Sequence, residues 1–286
     1  MSYQYIKPKN REELLRVMET SSQYHLLAGG TDLMVRVRLG RIVSGTFIDI
    51  SEMEDLQKIE ISQDVFTVGA AVHHAAIARS AMIIKRAPAL AMASAAVGSP
   101  QIRNRGTLGG NAGNASPAGD TIPPLLAYGA VLNIVGIEGR RKIPLKDFFI
   151  GPGRTVLKKN EYIESFSFRG HKKGEGSAFE KLGKRKALAI SIVNAGTFLS
   201  INENGIIMEA RIALGSVAAT PIRVLAAEEI LLGQKITKEL LVSAAQKVEA
   251  LVSPIDDVRS EALYRKKMAG VLTRRALEKS WESSLA

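Results

Sequence analysis

Residues 102–120 read Ile-Arg-Asn-Arg-Gly-Thr-Leu-Gly-Gly-Asn-Ala-Gly-Asn-Ala-Ser-Pro-Ala-Gly-Asp. From Gly98 to Asp120 the chain holds six glycines and two prolines and follows no regular period. It reads as one long loop, and a loop this long inside a compact domain is usually functional. A helical pattern at Thr121–Tyr128 and a strand at Val131–Val135 follow at once, so order is expected. A second glycine loop, Leu27-Ala-Gly-Gly-Thr-Asp-Leu33, ends an early strand. Consecutive glycines permit positive φ and remove side-chain bulk, so backbone amides can converge on an anion such as a pyrophosphate. Thr31 and Thr107 add hydroxyl donors, and Asp120 can accept from a sugar or polyol hydroxyl. Each loop can also be read as a tight turn. Neither is a GxGxxG fingerprint leading into a helix, and neither ends in Gly-Lys-Ser/Thr, which disfavours the usual dinucleotide and triphosphate folds.

Outward from these loops, the amino-terminal 55 residues or so read as a small α/β unit. Tyr3–Ile6, Tyr24–Leu27 and Thr46–Ile50 are strands, the last apolar enough to be buried on both faces. Asn10 and Glu13 form a capping box for a helix to about Glu19, with Leu14, Leu15 and Met18 on one face. Leu33–Leu39 alternates weakly. An α+β stretch follows. Ile59–Ile61 and Val65–Gly69 flank a hairpin turn, His74–Ala81 and Pro88–Val97 read as helices, and Ile163–Phe168 is a strand. From about residue 175 the pattern becomes sheet-then-helices. Strands Asn194–Ile201 and Ile206–Leu214 join through Asn204-Gly205. Helices follow at Val224–Leu232, Lys238–Leu251 and Ser260–Ser280. The expected units are residues 1–172, with subdomains of about 1–56 and 57–172, and residues 173–286.

Composition narrows the chemistry. The 286 residues are 46% hydrophobic and 23% charged, as in ordinary globular proteins. There is no cysteine, hence no disulfide, no thiolate nucleophile and no cysteine-ligated zinc or iron–sulfur cluster. Cluster chemistry would have to sit on another chain. His25, His73, His74 and His171 show no metal-ligand spacing, and His73 and His74 would point to opposite faces of a strand. Asp256-Asp257 after Pro254 reads as a turn or cap, and no Gly-x-Ser-x-Gly elbow is present. The Ala- and Met-rich run 89–97 reads as core packing. No secretory signal and no membrane span is visible, so the expected location is the cytoplasm.

The net charge of +11 is spread along the chain: residues 1–170 carry 21 basic and 15 acidic groups, residues 171–286 carry 18 and 13. The densest basic run (Lys181, Lys184, Arg185, Lys186) has only Phe179 for an aromatic neighbour, which argues against nucleic acid. An anionic ligand or an acidic protein partner accounts for the surplus as well.

The motifs AGGTDL (28–33), IRNRGTLGGNAGNASPAGD (102–120), GPG (151–153) and FEKLGKRKALAIS (179–191), in this order, make the chain similar to the FAD-binding (medium) subunit of the molybdenum hydroxylases. These include xanthine dehydrogenases, nicotinate dehydrogenase and aerobic carbon monoxide dehydrogenases. The resemblance implies an α+β, vanillyl-alcohol-oxidase-like (PCMH-type) fold, in which two α/β subdomains clamp FAD and a carboxy-terminal sheet-and-helix domain closes over it. It implies that Ala28, Gly29, Gly30, Thr31, Asp32 and Leu33 wrap the pyrophosphate from one side, and Thr107, Gly109, Gly110 and Asn111 from the other, with Leu27 also among the cofactor-binding residues. It places Asp120 at the polyol or ribose region, Ile163 on the flavin and Lys181 near the pyrimidine end of the ring. Val97 falls where some members carry phenylalanine. It also implies partner chains: a large subunit with molybdopterin and a small subunit with [2Fe–2S] clusters, with electrons leaving FAD to NAD⁺ or another acceptor. No proton-abstracting residue is required in such a subunit. The competing readings are a free-standing FAD-dependent oxidoreductase of the same fold, and a non-catalytic anion- or nucleotide-binding module.

Overall fold

The structure, a computed structural model, describes residues 2–185 and 188–285. Lys186 of the basic run therefore lies outside the described residues. The amino-terminal lobe runs β1 (Tyr3–Ile6), α1 (Arg11–Thr20), β2 (Tyr24–Leu27), α2 (Leu33–Arg38) and β3 (Gly45–Asp49). β3 lies between β1 and β2 and parallel to both, which is why Thr46, Phe47 and Ile48 are buried in succession. The Asn10 side chain accepts from the Glu13 amide at 2.9 Å, while Glu13 reaches back to the Lys9 amide at 2.8 Å. Leu14 and Met18 are wholly buried beside Ile48 and Ile50, whereas Leu15 is only partly covered. The weakly alternating stretch after Asp32 is helical, and none of its residues is buried. No core face disciplines its sequence period.

The second unit continues with β4 (Ile59–Ser62), β5 (Val65–Gly69), α3 (His74–Arg79), α4 (Ala81–Arg86), α5 (Pro88–Ala96), α6 (Pro100–Arg103), α7 (Leu108–Asn114) and α8 (Ile122–Ala127). It closes with β6 (Val131–Gly136), β7 (Gly139–Pro144), β8 (Phe149–Gly151), β9 (Arg154–Thr155) and β10 (Glu161–Arg169). Its five-stranded antiparallel sheet has the order β4-β5-β10-β6-β7. Phe66, Val68, Leu132 and Phe166 of that sheet pack on Leu90 and Leu125 of the helices. The glycine-rich stretch is not one loop. Ser99 caps α6 by accepting from the Ile102 amide at 3.2 Å, and Thr107 caps α7 by accepting from the Gly110 amide at 3.0 Å. Burial of Leu108 and Ala112 offsets the poor helix propensity of the glycines. Ala115, in the left-handed region at φ 48°, ends α7. His73 precedes α3 and His74 begins it, so the two imidazoles do not flank a strand.

The remainder forms β11 (Glu175–Leu182), β12 (Val193–Ile201), β13 (Ile207–Gly215), β14 (Ile222–Arg223), α9 (Leu225–Leu231), α10 (Lys238–Leu251) and α11 (Ala262–Ser284). The four strands pair antiparallel in chain order. Gly205 takes φ 76° in the turn between β12 and β13. The helices bury one sheet face through Leu199, Ile212, Leu241, Val248 and Leu277. The other face meets the second unit: Phe179 and Phe198 join its core. Tyr128 stacks on Phe168 with centroids 5.3 Å apart and meets Phe198 edge-on at 6.5 Å, with His171 edge-on to both. Asp257 is paired with Arg259 at 2.5 Å and with Arg265, which holds its carboxyl well below the usual range. Asp256 accepts from the Ala262 amide at the start of α11. This acidic pair is a capped turn. No helix among the described residues is long and apolar enough to cross a membrane.

Burial pushes the His171 imidazole down to about 4, and its Nε2 is enclosed without a partner. The folded state therefore keeps His171 neutral where the unfolded chain, titrating near 6.5, already takes a proton. Its contribution to stability is complete above pH 6.5 and is lost as pH falls from there towards 4, on the order of 3 kcal/mol in all. Thermal unfolding followed from pH 7 to 4.5 is expected to show a falling Tm, with a shallower fall in His171→Phe.

Candidate functional site

Two main-chain segments meet edge to edge. Residues 70–74 run alongside 105–109: the Leu108 amide donates to Val72 O at 3.0 Å, the Gly109 amide to Ala70 O at 2.8 Å, and the His74 amide to Gly106 O at 3.0 Å. The first glycine loop then lies against this pair. A Cβ on Gly29 would overlap the Arg105 carbonyl, and a Cβ on Gly109 would come within 2.5 Å of Ala70 Cβ. These two glycines serve backbone contact within the protein. Gly113 differs: a Cβ there meets nothing within 4 Å, and one on Gly110 meets only its own capping Thr107 hydroxyl. Gly110 and Gly113 line an open cleft of about 300 Å³, at the low end for small-molecule sites.

One wall of that cleft is Ala28, Gly29, Gly30, Thr31, Asp32 and Leu33, with Gly30 at φ 72°. Among the described residues, the amides of Gly29, Gly30, Thr31 and Asp32 have no hydrogen-bond partner. The facing wall is Thr107, Gly109, Gly110 and Asn111. Here the expectation of converging amides is corrected. The Gly109 amide is taken by Ala70 O, the Gly110 amide by the Thr107 hydroxyl, and the Asn111 amide by Thr107 O at 2.9 Å. The start of α7 and the 70–74 segment take these three donors, so among the described residues the Thr107 amide alone is left partnerless on this wall, against four on the other. Val97 and Ile163 line the apolar end together with Leu157 and Tyr162. A β-bulge between Ile163 and Ser165 lies beside them.

Three expected residues do not line the cleft. Leu27 ends β2 behind Gly30, its carbonyl accepting from the Ile50 amide. Asp120 and Lys181 form a buried cluster of their own. Lys181 Nζ donates to Asp120 Oδ2 at 2.6 Å and to Ala96 O at 2.8 Å. Asp120 Oδ1 accepts from Ser191 at 2.6 Å and Asn194 at 2.9 Å. Both carboxylate oxygens therefore have protein donors, and the cluster ties β11 and β12 to the end of α5, directly behind Val97.

Sequence reading missed several lining residues, among them Arg36, His74, Ile102, Asn114, Leu157 and Tyr162. Arg36 Nη2 donates to Asn114 Oδ1 at 2.5 Å, and Asn114 Nδ2 donates to Asp32 Oδ1 at 3.3 Å, so a polar chain spans the mouth. The Arg36 guanidinium supplies a positive charge that the glycine motifs do not announce. Among the described residues no group of three or more histidines, aspartates or glutamates could hold a metal ion.

This architecture is that of a vanillyl-alcohol-oxidase-like FAD-binding protein, two α/β subdomains with a carboxy-terminal sheet-and-helix domain. Residues 1–168 match the family described as the FAD binding domain in molybdopterin dehydrogenase, and residues 177–280 match the carbon monoxide dehydrogenase flavoprotein carboxy-terminal domain. The chain belongs to this family of oxidoreductase FAD subunits. It is 31% identical to the carbon monoxide dehydrogenase medium chain of Hydrogenophaga pseudoflava over 98% of this chain and 97% of that one. It is 30% identical to the nicotinate dehydrogenase FAD-subunit of Eubacterium barkeri, over 92% and 91%. The solved carbon monoxide dehydrogenase of H. pseudoflava that lacks the Mo-pyranopterin moiety superposes with a TM-score of 0.94, at 31% identity, over 99% of this chain and 98% of its own.

FAD fits the donor set. Partnerless amides and a guanidinium suit a doubly ionised diphosphate, the open space at Gly113 leaves it room, and an apolar end suits a flavin ring.

Removing Lys181 would strand the Asp120 carboxylate in a buried site, where side-chain exposure is 8%. Lys181→Met is expected to lower unfolding free energy by about 3–5 kcal/mol. The double variant Lys181→Met/Asp120→Leu should lose less than the sum of the two single changes, as read by urea denaturation.

Proposed function

We propose that this chain is the electron-transferring flavoprotein subunit of a molybdenum hydroxylase. In this reading a separate large chain carries molybdopterin and a separate small chain carries two [2Fe–2S] clusters. Electrons from those clusters pass through FAD on this chain to NAD⁺ or another acceptor. We divide the chain at residues 172 and 173 into a cofactor domain and a carboxy-terminal domain, and the cofactor domain at about residue 56. The observation that carries the reading is a cleft lined both by residues 29–32, whose four amides are partnerless among the described residues, and by Gly113, where a Cβ would meet nothing within 4 Å.

FAD bound there supplies the electron-exchange chemistry. The protein's own residues bind and shelter it. The amides of residues 29–32 and the Arg36 guanidinium take the diphosphate, as charge-assisted hydrogen bonds. Gly110 and Gly113 let it approach the opposing backbone. Val97, Leu157, Tyr162 and Ile163 exclude water from the ring. Asp120 and Lys181, behind Val97, fix the carboxy-terminal sheet against that wall. The absence of cysteine fits a division of labour in which the clusters reside on another chain. The free-standing oxidase is the weaker reading. Among the lining residues, the carboxylate of Asp32 is engaged by Asn114 at the polar mouth, and the apolar end carries no carboxylate or imidazole, only the buried Tyr162, whose hydroxyl burial pushes above its ordinary range.

Two measurements test this. Purified wild-type protein should carry FAD near one per chain by visible absorbance, and Gly110→Val should lose it on dialysis, because the branched side chain enters the space between the walls. Co-expression with molybdopterin-binding and [2Fe–2S] chains should give one complex in native mass spectrometry. A chain that oxidises small alcohols or amines at full rate without partners overturns the subunit reading.

A further inference from the structure

We propose that His74 is a cofactor-binding residue, donating a hydrogen bond from its neutral imidazole Nε2–H to an oxygen of the FAD diphosphate. The inference rests on the cleft being the FAD site. His74 is only 2% exposed, yet it lines the cleft. Its Nδ1 is sealed from water and has no partner. Its Nε2 has no hydrogen-bond partner among the described residues and is not among the enclosed atoms, and the residue itself lines the cleft. The ring is placed firmly. The His74 amide is bonded to Gly106 O, and a Cβ built on Gly106 would stand 3.3 Å from His74 Cδ2 and 3.5 Å from the Thr31 hydroxyl. His74 thus sits at the seam of the two loops, beside the partnerless amides of residues 29–32.

Two other imidazoles in the fold also have a buried nitrogen without a partner. His25 packs on Phe47, and His171 packs on Tyr128 and Phe198. Their rings are used as aromatic surface. Among the described residues His74 has no aromatic neighbour, so packing alone does not account for it. Burial, with His73 and Arg103 adding to it, pushes the imidazole down to about 4, so it is uncharged at neutral pH. A neutral imidazole offers one donor and one acceptor. A phosphate oxygen accepting at Nε2 fixes the proton there and leaves Nδ1 as the enclosed lone pair.

The test is a titration of the flavin-free full chain with FAD, and with ADP as a probe that shares the diphosphate. His74→Ala should weaken FAD by about 10- to 100-fold, the range for losing a hydrogen bond to a charged group. ADP should weaken in the same proportion. His74→Gln, which restores an N–H, should recover most of the loss for both. In the wild-type protein the imidazole Nε2 resonance should move when FAD is added. Unchanged FAD affinity in His74→Ala, with Gly110→Val still losing flavin, overturns the role of His74 and leaves the cleft. Unchanged affinity in both variants overturns the cleft itself. A loss for FAD with none for ADP takes the contact off the diphosphate and overturns the proposal. Should His74→Ala not fold, an Nε2 resonance unmoved by FAD in the wild type overturns it equally.

Discussion

The cleft exists because two stretches of bare backbone touch. Gly29 lies so close to the Arg105 carbonyl that no side chain fits between them, and Gly109 lies against Ala70 with too little room for a Cβ as well. The first contact brings the parallel amino-terminal lobe against the second unit. The second contact seats α7 on the strand-like segment 70–74. Everything the site needs follows from that approach. The amides of residues 29–32 lie beyond the end of β2 and have no partner among the described residues, and Gly110 and Gly113 line the same cleft. A methyl group at either contact would separate the walls instead of decorating them.

Much of the fold was legible in the sequence, because its elements obey local rules. The Asn10 cap, the two hairpins and helix α10 were all readable from residue type and spacing. Helices α2, α6 and α7 were not. α2 buries nothing, so no apolar period marks it. α6 and α7 are short, and their glycines argue against helix until the caps at Ser99 and Thr107 and the burial of Leu108 and Ala112 are known. β7 was also missed, since an edge strand reading Gly-Arg-Arg-Lys-Ile-Pro carries no alternation.

The site was legible in part for the same reason. Glycine runs announce a close backbone approach, and they located both walls. They do not say which glycines face a ligand and which face the protein. They also do not reveal side chains brought in from elsewhere. Arg36 and His74 come from helices with unremarkable sequences, and only the fold carries them to the cleft. Asp120 and Lys181 are separated by 61 residues, and no spacing rule could show that each satisfies the other.

The aromatic group of Tyr128, Phe168, His171 and Phe198 carries a consequence of its own. Phe168 comes from β10, His171 from the connection that follows it, Tyr128 from the end of α8 and Phe198 from the carboxy-terminal sheet, so the group belongs to neither hydrophobic layer alone. Neither layer can open without exposing rings that the other needs covered. The middle and terminal portions of the chain are consequently expected to melt as one cooperative body, and a cut in the short connection at residues 170–174 would leave the halves clasped.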